Sequence, residues 1–479
     1  MSRSLPTTFG LQAMYNRKYL MYIPKEEDHN LHEYLRYSGG SIVTPYSKFE
    51  AEASEEHAGS FHIKCCYNNK YWVSKSSGQA HWILGGADKK EEDRSKPSCT
   101  LFRPDFSEKY SNALKLLHVQ TQRYVWFSTM SPPLEGCLYP ATKTPSPAQL
   151  DLFWIFDWDS LVILPRYVVF KGDNGKYLGG RDIEWHNYLQ FASTKDDKDG
   201  HDDTVGHEVS YTDDGKIQLR SIYFDKKWRR SPNWIWADSD NATSGDPDTI
   251  FIPGRVNDNT ITLRNTGNYL YCQRLSTEGK TDCLNASGED KTSREVKLRL
   301  EEYVKSRRIH NVRYHFEDAK YYDKKIVLVA ENSAENAYKR GKDTATLKFT
   351  FKKTTSSSWK YTHGIKLGVT AKLEAKIPVI NLGGFEFTAE YNFEYESGKT
   401  EDRSEEIESS YTVDVPENSK VTVFGLATKS SCDIPFSYSQ TDTLYDGSQV
   451  TSDNVEGGLY HVEQSYLFNY RKKYEEIKA

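Results

Sequence analysis

The chain has 479 residues, of which 27% are charged, with a formal net charge of -5 and a sequence pI near 6.3. That length suits about three domains, each burying its own core, and that balance gives no global basic field for nucleic acid or an anionic membrane. No run approaches the ~20 consecutive apolar residues of a membrane-spanning helix, while 33 Tyr and 10 Trp in a chain only 37% hydrophobic suit small β domains whose rings serve both core and binding surface.

The first ten residues, Met1 to Gly10, lack the apolar segment of a secretory signal, so the expected location is the cytoplasm. Seven cysteines, including the adjacent pair Cys65 and Cys66, are odd in number and widely spread, which suits a reduced protein better than a disulfide framework. In a predicted strand the adjacent pair faces opposite ways, one thiol buried and one exposed. The sequons at Asn241 and Asn285 are then expected to stay unmodified.

Apolar alternation, a small polar turn and an aromatic anchor recur through the first three hundred residues. The segments are Phe9 to Leu20, Phe61 to Val73, Leu114 to Phe127, Tyr167 to Leu178, Ile217 to Arg229 and Ile261 to Tyr271. Their anchors Tyr19, Tyr71, Tyr124, Tyr177, Trp228 and Tyr269 are spaced 52, 53, 53, 51 and 41 residues apart. Each unit reads as a hairpin with its turn, three units close a β-trefoil, and six make two in tandem. The boundary falls near Phe156-Asp-Trp-Asp-Ser160, giving domains 1–156 and 162–303 around a linker at 157–161. A six-bladed propeller is the alternative, but it wants several strands per blade and a blade signature.

The strings Phe61 to Phe102, Lys226 to Ser239 and Asn268 to Ser287 resemble the agglutinin domains of the amaranthin lectins. The resemblance implies a tandem β-trefoil that dimerises head to tail and binds galactosyl-N-acetylgalactosamine (Gal/GalNAc) glycans in a shallow interface site. By position it implies sugar contacts at Asn69, Tyr71 and Trp72 on the N-terminal side and at Trp185 and His186 on the C-terminal side. Read from the repeat alone, Tyr71 and Trp72 are as well explained as a buried pair, and His186 as an exposed loop histidine. The acidic run Asp196 to Asp203 lacks the register of a calcium loop and reads as solvated. No metal site and no cofactor are expected.

Beyond Tyr303 the repeat stops. Residues 304–479 are rich in Thr, Ser, Tyr and Lys, with period-2 runs such as Thr344 to Lys352, and read as an elongated antiparallel β module. Within it, 365–396 has the pattern of a hairpin with one apolar and one charged face. Ile365, Leu367, Val369, Leu373, Phe385, Phe387 and Phe393 form the apolar set, and Lys366, Lys372, Lys376, Glu386, Glu390 and Glu394 the polar one. Thirteen residues at about 3.3 Å each span roughly 43 Å, enough for a ~30 Å hydrocarbon layer. Pro378 to Gly384 reads as the connection. The pattern fits equally an amphipathic hairpin packed on its own core.

The order of elements, ending in the Ser/Glu-rich return and the segments Val415 to Ala427 and Asp433 to Ser439, resembles the aerolysin-type pore-forming fold. The fold class is therefore all-β: two tandem β-trefoils followed by an elongated aerolysin-like module. The resemblances imply a lectin that oligomerises, from a soluble dimer to a larger ring, and inserts the hairpins as a transmembrane barrel. Apolar side chains would then face lipid and charged ones the lumen. The alternative is a non-lytic intracellular lectin whose last module serves only oligomerisation. Neither phosphate-loop, zinc nor nucleophile-elbow patterns appear, so no enzyme is expected.

Overall fold

A computed structural model describes residues 4–77, 80–194, 203–240, 245–338, 341–361, 371–381, 384–395 and 399–477, with only the backbone described for Ser77, Tyr361, Ile380, Asn381 and 384–395. Among these residues the regular elements are strands, apart from four single-turn 3-10 segments.

The first trefoil is a closed ring of antiparallel pairings. Thr8–Ala13 pairs with Phe153–Asp157, which pairs with Ala113–His118. The ring continues through Leu101–Phe106, Phe61–Cys65 and Phe49–Ala53, and returns to Thr8–Ala13. Closure removes the free edges that an open sheet would present. Three hairpins cap the ring: Tyr19–Tyr22 with Leu35–Gly39, Tyr71–Ser77 with Ala80–Ala87, and Arg123–Phe127 with Leu138–Thr142. The second trefoil closes in the same way through Tyr167–Lys171, His207–Tyr211, Ile217–Ser221, Phe251–Asn257, Thr260–Asn265 and Leu298–Glu302.

One backbone feature marks all six repeats. Arg17, Asn69, Gln122, Gly175, Asp225 and Tyr269 each take a left-handed conformation, with φ between 53° and 77°, in the turn after the first strand of their repeat. Three residues further on stand Leu20, Trp72, Val125, Leu178, Trp228 and Cys272, every one fully buried. This register corrects the sequence alignment at two anchors. Trp228 is the core position of its repeat and Lys227 the equivalent of Tyr177, whereas Tyr269 is the left-handed turn residue and Tyr271 the anchor. A shorter segment ahead of each of these turns had displaced the pattern.

Segment 157–161, expected as a linker, is packed. Trp158 is buried with Tyr19 and Ile42, against Phe156, Leu161 and Ile163, and the Ile42 amide donates to the Asp213 carbonyl at 3.1 Å, tying one trefoil to the other.

The chain forms two compact units: the described parts of Met1–His310, Thr362–Lys372 and Tyr438–Gly457, and those of Asn311–Tyr361, Leu373–Ser437 and Gly458–Ala479. Residues 304–310 and 438–457, which composition places in the last module, thus pack with the trefoils. Leu444, Tyr445 and Val450 join Tyr167, Val169, Tyr177, Val205 and Tyr303 in one apolar cluster. Beside it Arg307 is held by the buried carboxylates of Asp442 at 2.7 Å and Glu302 at 3.0 Å.

In the second unit a core of Leu347, Phe349, Phe351, Val413, Val415, Val421 and Val423 is completed by the rings of Phe468 and Tyr470. Asp343–Tyr361 and Thr400–Val415, the strands that bracket the hairpin in sequence, pair without a break from Asp343↔Val415 to Ser358↔Thr400.

Two buried histidines make the trefoils acid-sensitive. His207 accepts from Trp228 Nε1 at 3.3 Å through Nδ1 and donates through Nε2 to the Leu178 carbonyl, and burial pushes its pKa down to about 4. Burial likewise holds His118 at about 4. Since an unfolded histidine titrates near 6.5, the neutral folded form contributes stability above that pH and loses it as pH falls toward 4. Each trefoil is expected to lose about 3 kcal/mol between pH 7 and 4 by this route, seen as a falling urea midpoint. His207→Gln, which retains a donor and an acceptor, should flatten the fall in the second trefoil.

Candidate functional site

The cap of the second trefoil carries an open aromatic surface. Its first hairpin, Tyr177–Ile183 with His186–Ser193, turns through just two residues, Glu184 at φ 53° and Trp185 at φ 64°. Two consecutive left-handed residues define the hairpin turn normally written Asn-Gly, because Cβ crowding penalises other residues by about 1 kcal/mol each or more. Glu184 is held by a 2.6 Å ion pair to Lys280 on the neighbouring cap hairpin. Trp185 buries nothing in return: it is 93% exposed.

Next to it the exposed His186 ring lies flat on Trp236, with centroids 4.1 Å apart and planes 8° apart. Trp236 reaches this place because its strand, Trp234–Ser239, pairs with His186–Ser193 at Tyr188↔Trp236. Underneath, buried Tyr188, Trp234 and Cys283 form a floor. Tyr188 meets Trp234 and Trp236 edge-on at 5.8 and 5.6 Å, and Trp234 Nε1 donates to Glu278 at 3.1 Å. Exposed aromatic faces on a rigid floor with polar groups at the rim suit the apolar face and hydroxyl edge of a sugar.

In the first trefoil the position equivalent to Trp236 is Leu84, buried in one cluster with Ile23, Leu31 and Tyr34, and Trp82 is the equivalent of the buried Trp234. Trp82 is buried between Tyr34 and Tyr139, each 5.8 Å away, under Ile23, Leu31 and Leu134.

Trp72 is not a sugar platform. Its ring is fully buried, edge-on to Phe49 at 5.1 Å and to Phe102 at 5.7 Å, because it occupies the core position shared by all six repeats. Tyr71 is 7% exposed, and its hydroxyl donates to the Glu52 carboxylate; burial and that charge push its pKa up to about 12. Asn69 is the half-buried turn residue of its repeat. Of the five expected contacts, Trp185 and His186 therefore stand together on the second trefoil, while Asn69 and Tyr71 belong to the first. Sequence reading passed over Trp236, although in the strand Trp234-Ile-Trp236 after a Pro-Asn turn both rings fall on the face opposite the core residue Ile235.

The expected hairpin exists as the strands Ala371–Asn381 and Gly384–Tyr395, at one edge of a nine-stranded sheet among the described residues, with Gly384–Tyr395 outermost. On the outgoing arm Ala371, Leu373, Ala375 and Ile377 are buried, while Lys372 and Lys376 are exposed and Glu374 is half-buried. Pro378 to Asn381, read as connection, continue this strand, so the turn is shorter than expected. Ile365, Lys366, Leu367 and Val369 lie outside the described residues, as do the side chains of Phe385, Glu386, Phe387, Glu390, Phe393 and Glu394. A cavity of about 480 Å³, lined among others by Asn311, Arg313, Tyr314, Glu374 and Lys376, lies beside the outgoing arm.

Among the described residues no helix is long and apolar enough to cross a membrane, and no three His, Cys, Asp or Glu side chains are grouped to hold a metal.

The Agglutinin domain profile matches residues 3–157 and again 162–298. The chain belongs to the agglutinin family. Residues 303–444 of this agglutinin match the family described as Clostridium epsilon toxin ETX/Bacillus mosquitocidal toxin MTX2, so two agglutinin trefoils precede an aerolysin-like module. Comparison with curated proteins returned no match. Similar solved structures include an aerolysin-like protein of Bombina maxima, at 15% identity over 35% of this agglutinin and 99% of that chain, TM-score 0.27. The parasporin-2 toxin of Bacillus thuringiensis is 19% identical over 35% and 74%, TM-score 0.23. The Macrolepiota procera ricin B-like lectin, solved with lactose, is 8% identical over 32% and 98%, TM-score 0.25.

Proposed function

We propose that this agglutinin binds Gal/GalNAc glycans on a membrane and there assembles into a β-barrel pore, each copy donating the hairpin around residues 371–395. The observation that carries the reading is that one chain holds both an open aromatic surface and an edge hairpin whose outgoing arm has one apolar face. Membership of the agglutinin family and the toxin-type match over residues 303–444 support the two halves.

Each arm is long enough. The eleven residues of Ala371–Asn381 span about 36 Å at 3.3 Å each, against a ~30 Å hydrocarbon layer. A single hairpin leaves unpaired backbone groups in lipid at several kcal/mol each, so only a closed ring of several copies can insert. Leu373 and Phe387 then belong to the lipid face, and Lys372, Lys376 and Glu390 to the lumen. An edge position helps release: the outgoing arm is held laterally by Val304–Tyr314 alone besides its own returning arm. Capture by sugar raises the local concentration that assembly needs. The work is binding and assembly, without a chemical step, in a protein kept in the cytoplasm until it meets its membrane.

The test is dye release from liposomes with and without galactosyl-N-acetylgalactosamine glycolipid. Leakage should require the glycolipid. Trp185→Asn, which suits the left-handed turn, should fold normally yet lower glycan affinity about tenfold, the loss expected for one aromatic contact. Glycan binding without leakage would identify the non-lytic lectin instead; leakage indifferent to the sugar would refute the targeting role.

A further inference from the structure

The six left-handed turns are internal controls for one another. Five hold Arg17, Asn69, Gln122, Gly175 and Asp225; the sixth holds an aromatic, Tyr269, at φ 58°. A bulky ring in that conformation is a backbone outlier, and such outliers persist where something beyond folding retains them. Packing does not retain this one, because Tyr269 is 59% exposed. Its ring lies 5.4 Å from the Arg264 guanidinium, which also covers Tyr271 at 5.8 Å, while Arg264 Nε donates to the Tyr269 carbonyl.

Arg264 has controls as well. Lys64 and Arg220 are the other cations standing five residues before a left-handed turn residue, and both are neutralised. Lys64 is bound by Glu50 and Glu52 at 3.1 Å each, and Arg220 by Glu208 and Asp225. No carboxylate among the described residues pairs with Arg264. Asp248, whose carbonyl accepts from the adjacent Asn265, is taken by Arg230 at 2.6 Å. The result is a guanidinium over the rings of two tyrosines, without a carboxylate partner among the described residues, beside the exposed Tyr269 ring.

Resting on the lectin reading but at a separate place, we propose that Arg264 and Tyr269 form a second saccharide site, for sugars that carry a carboxylate. The two parallel N–H groups of the guanidinium fit a carboxylate in bidentate fashion, and the Tyr269 face takes the apolar side of the same ring. One copy then holds two sugar sites of different chemistry.

The experiment titrates the full chain with the methyl glycosides of glucuronate, galacturonate and N-acetylneuraminate, each beside its own methyl ester, and with galactosyl-N-acetylgalactosamine. Esterification removes the charge and little else. At least one acid is expected to bind about tenfold tighter than its ester, and Arg264→Gln or Tyr269→Asn should each abolish that preference. Asparagine suits the left-handed turn, so Tyr269→Asn reads the ring without disturbing the fold. Binding of galactosyl-N-acetylgalactosamine should be unchanged in both variants. If no acid outdoes its ester while galactosyl-N-acetylgalactosamine still binds, the second site is refuted and the lectin reading stands. An acid preference that survives both variants equally refutes it. Failure to bind any of these sugars removes the lectin reading and this inference with it.

Discussion

Trp72→Ala is expected to cost the first trefoil about 3–5 kcal/mol, the range for emptying a buried aromatic site, from a domain stability of about 5–15 kcal/mol. The ring is fully buried between Phe49 and Phe102, so deletion leaves a void that two edge-on neighbours cannot refill. Calorimetry should show one trefoil transition displaced to much lower temperature, with the other nearly unchanged. Trp185→Ala removes a ring of the same size but one that is 93% exposed, and should stay within about 0.5 kcal/mol of wild type. The pair separates the two tryptophans cleanly, one for folding and one for the surface. A Trp72 variant as stable as wild type would contradict the core assignment.

Locking the hairpin to the sheet is expected to reduce leakage to the liposome background. A cysteine introduced within Glu374–Lys376 and another in the facing stretch Asn311–Arg313, which line one cavity, would join the outgoing arm to its lateral neighbour. The native thiols interfere little: Cys65, Cys99, Cys137, Cys272, Cys283 and Cys432 are buried and Cys66 is half-buried, and burial pushes Cys137 and Cys432 up to about 12, away from the reactive thiolate. Oxidised protein should bind the glycolipid without releasing dye, and reductant should restore release in full. Undiminished leakage from verified oxidised protein would move the membrane-crossing element elsewhere in the chain.

Much of this architecture is written locally. The hydrophobic repeat marks six units because each must bury one side of a strand pair, and that demand shows as period-2 alternation. The alternation of Ala371, Leu373, Ala375 and Ile377 against Lys372, Glu374 and Lys376 likewise predicts which side of the outgoing arm is buried, and the structure buries that side. Cys65 is buried as expected, whereas Cys66, beyond the end of the strand at Cys65, is half-buried rather than exposed.

Length, strand periodicity and the order of two trefoils before a β module were thus determined by the sequence, since each follows from contacts between near neighbours along the chain. Tertiary structure alone decided which aromatic rings face water. Trp72 and Trp185 are the same residue type in similar hairpins, but one points into a barrel closed by strands far away in sequence, and the other crowns a two-residue turn. It decided too that equivalent cap positions differ in exposure: Leu84 is buried in a cluster with Ile23, Leu31 and Tyr34, whereas Trp236 is half-buried with the exposed His186 ring stacked on it. Finally, it assigned residues 438–457 to the trefoil unit, where Leu444 finds Tyr167 and Asp442 finds Arg307. Burial and charge pairing are properties of neighbours in space, and no period along a chain encodes them.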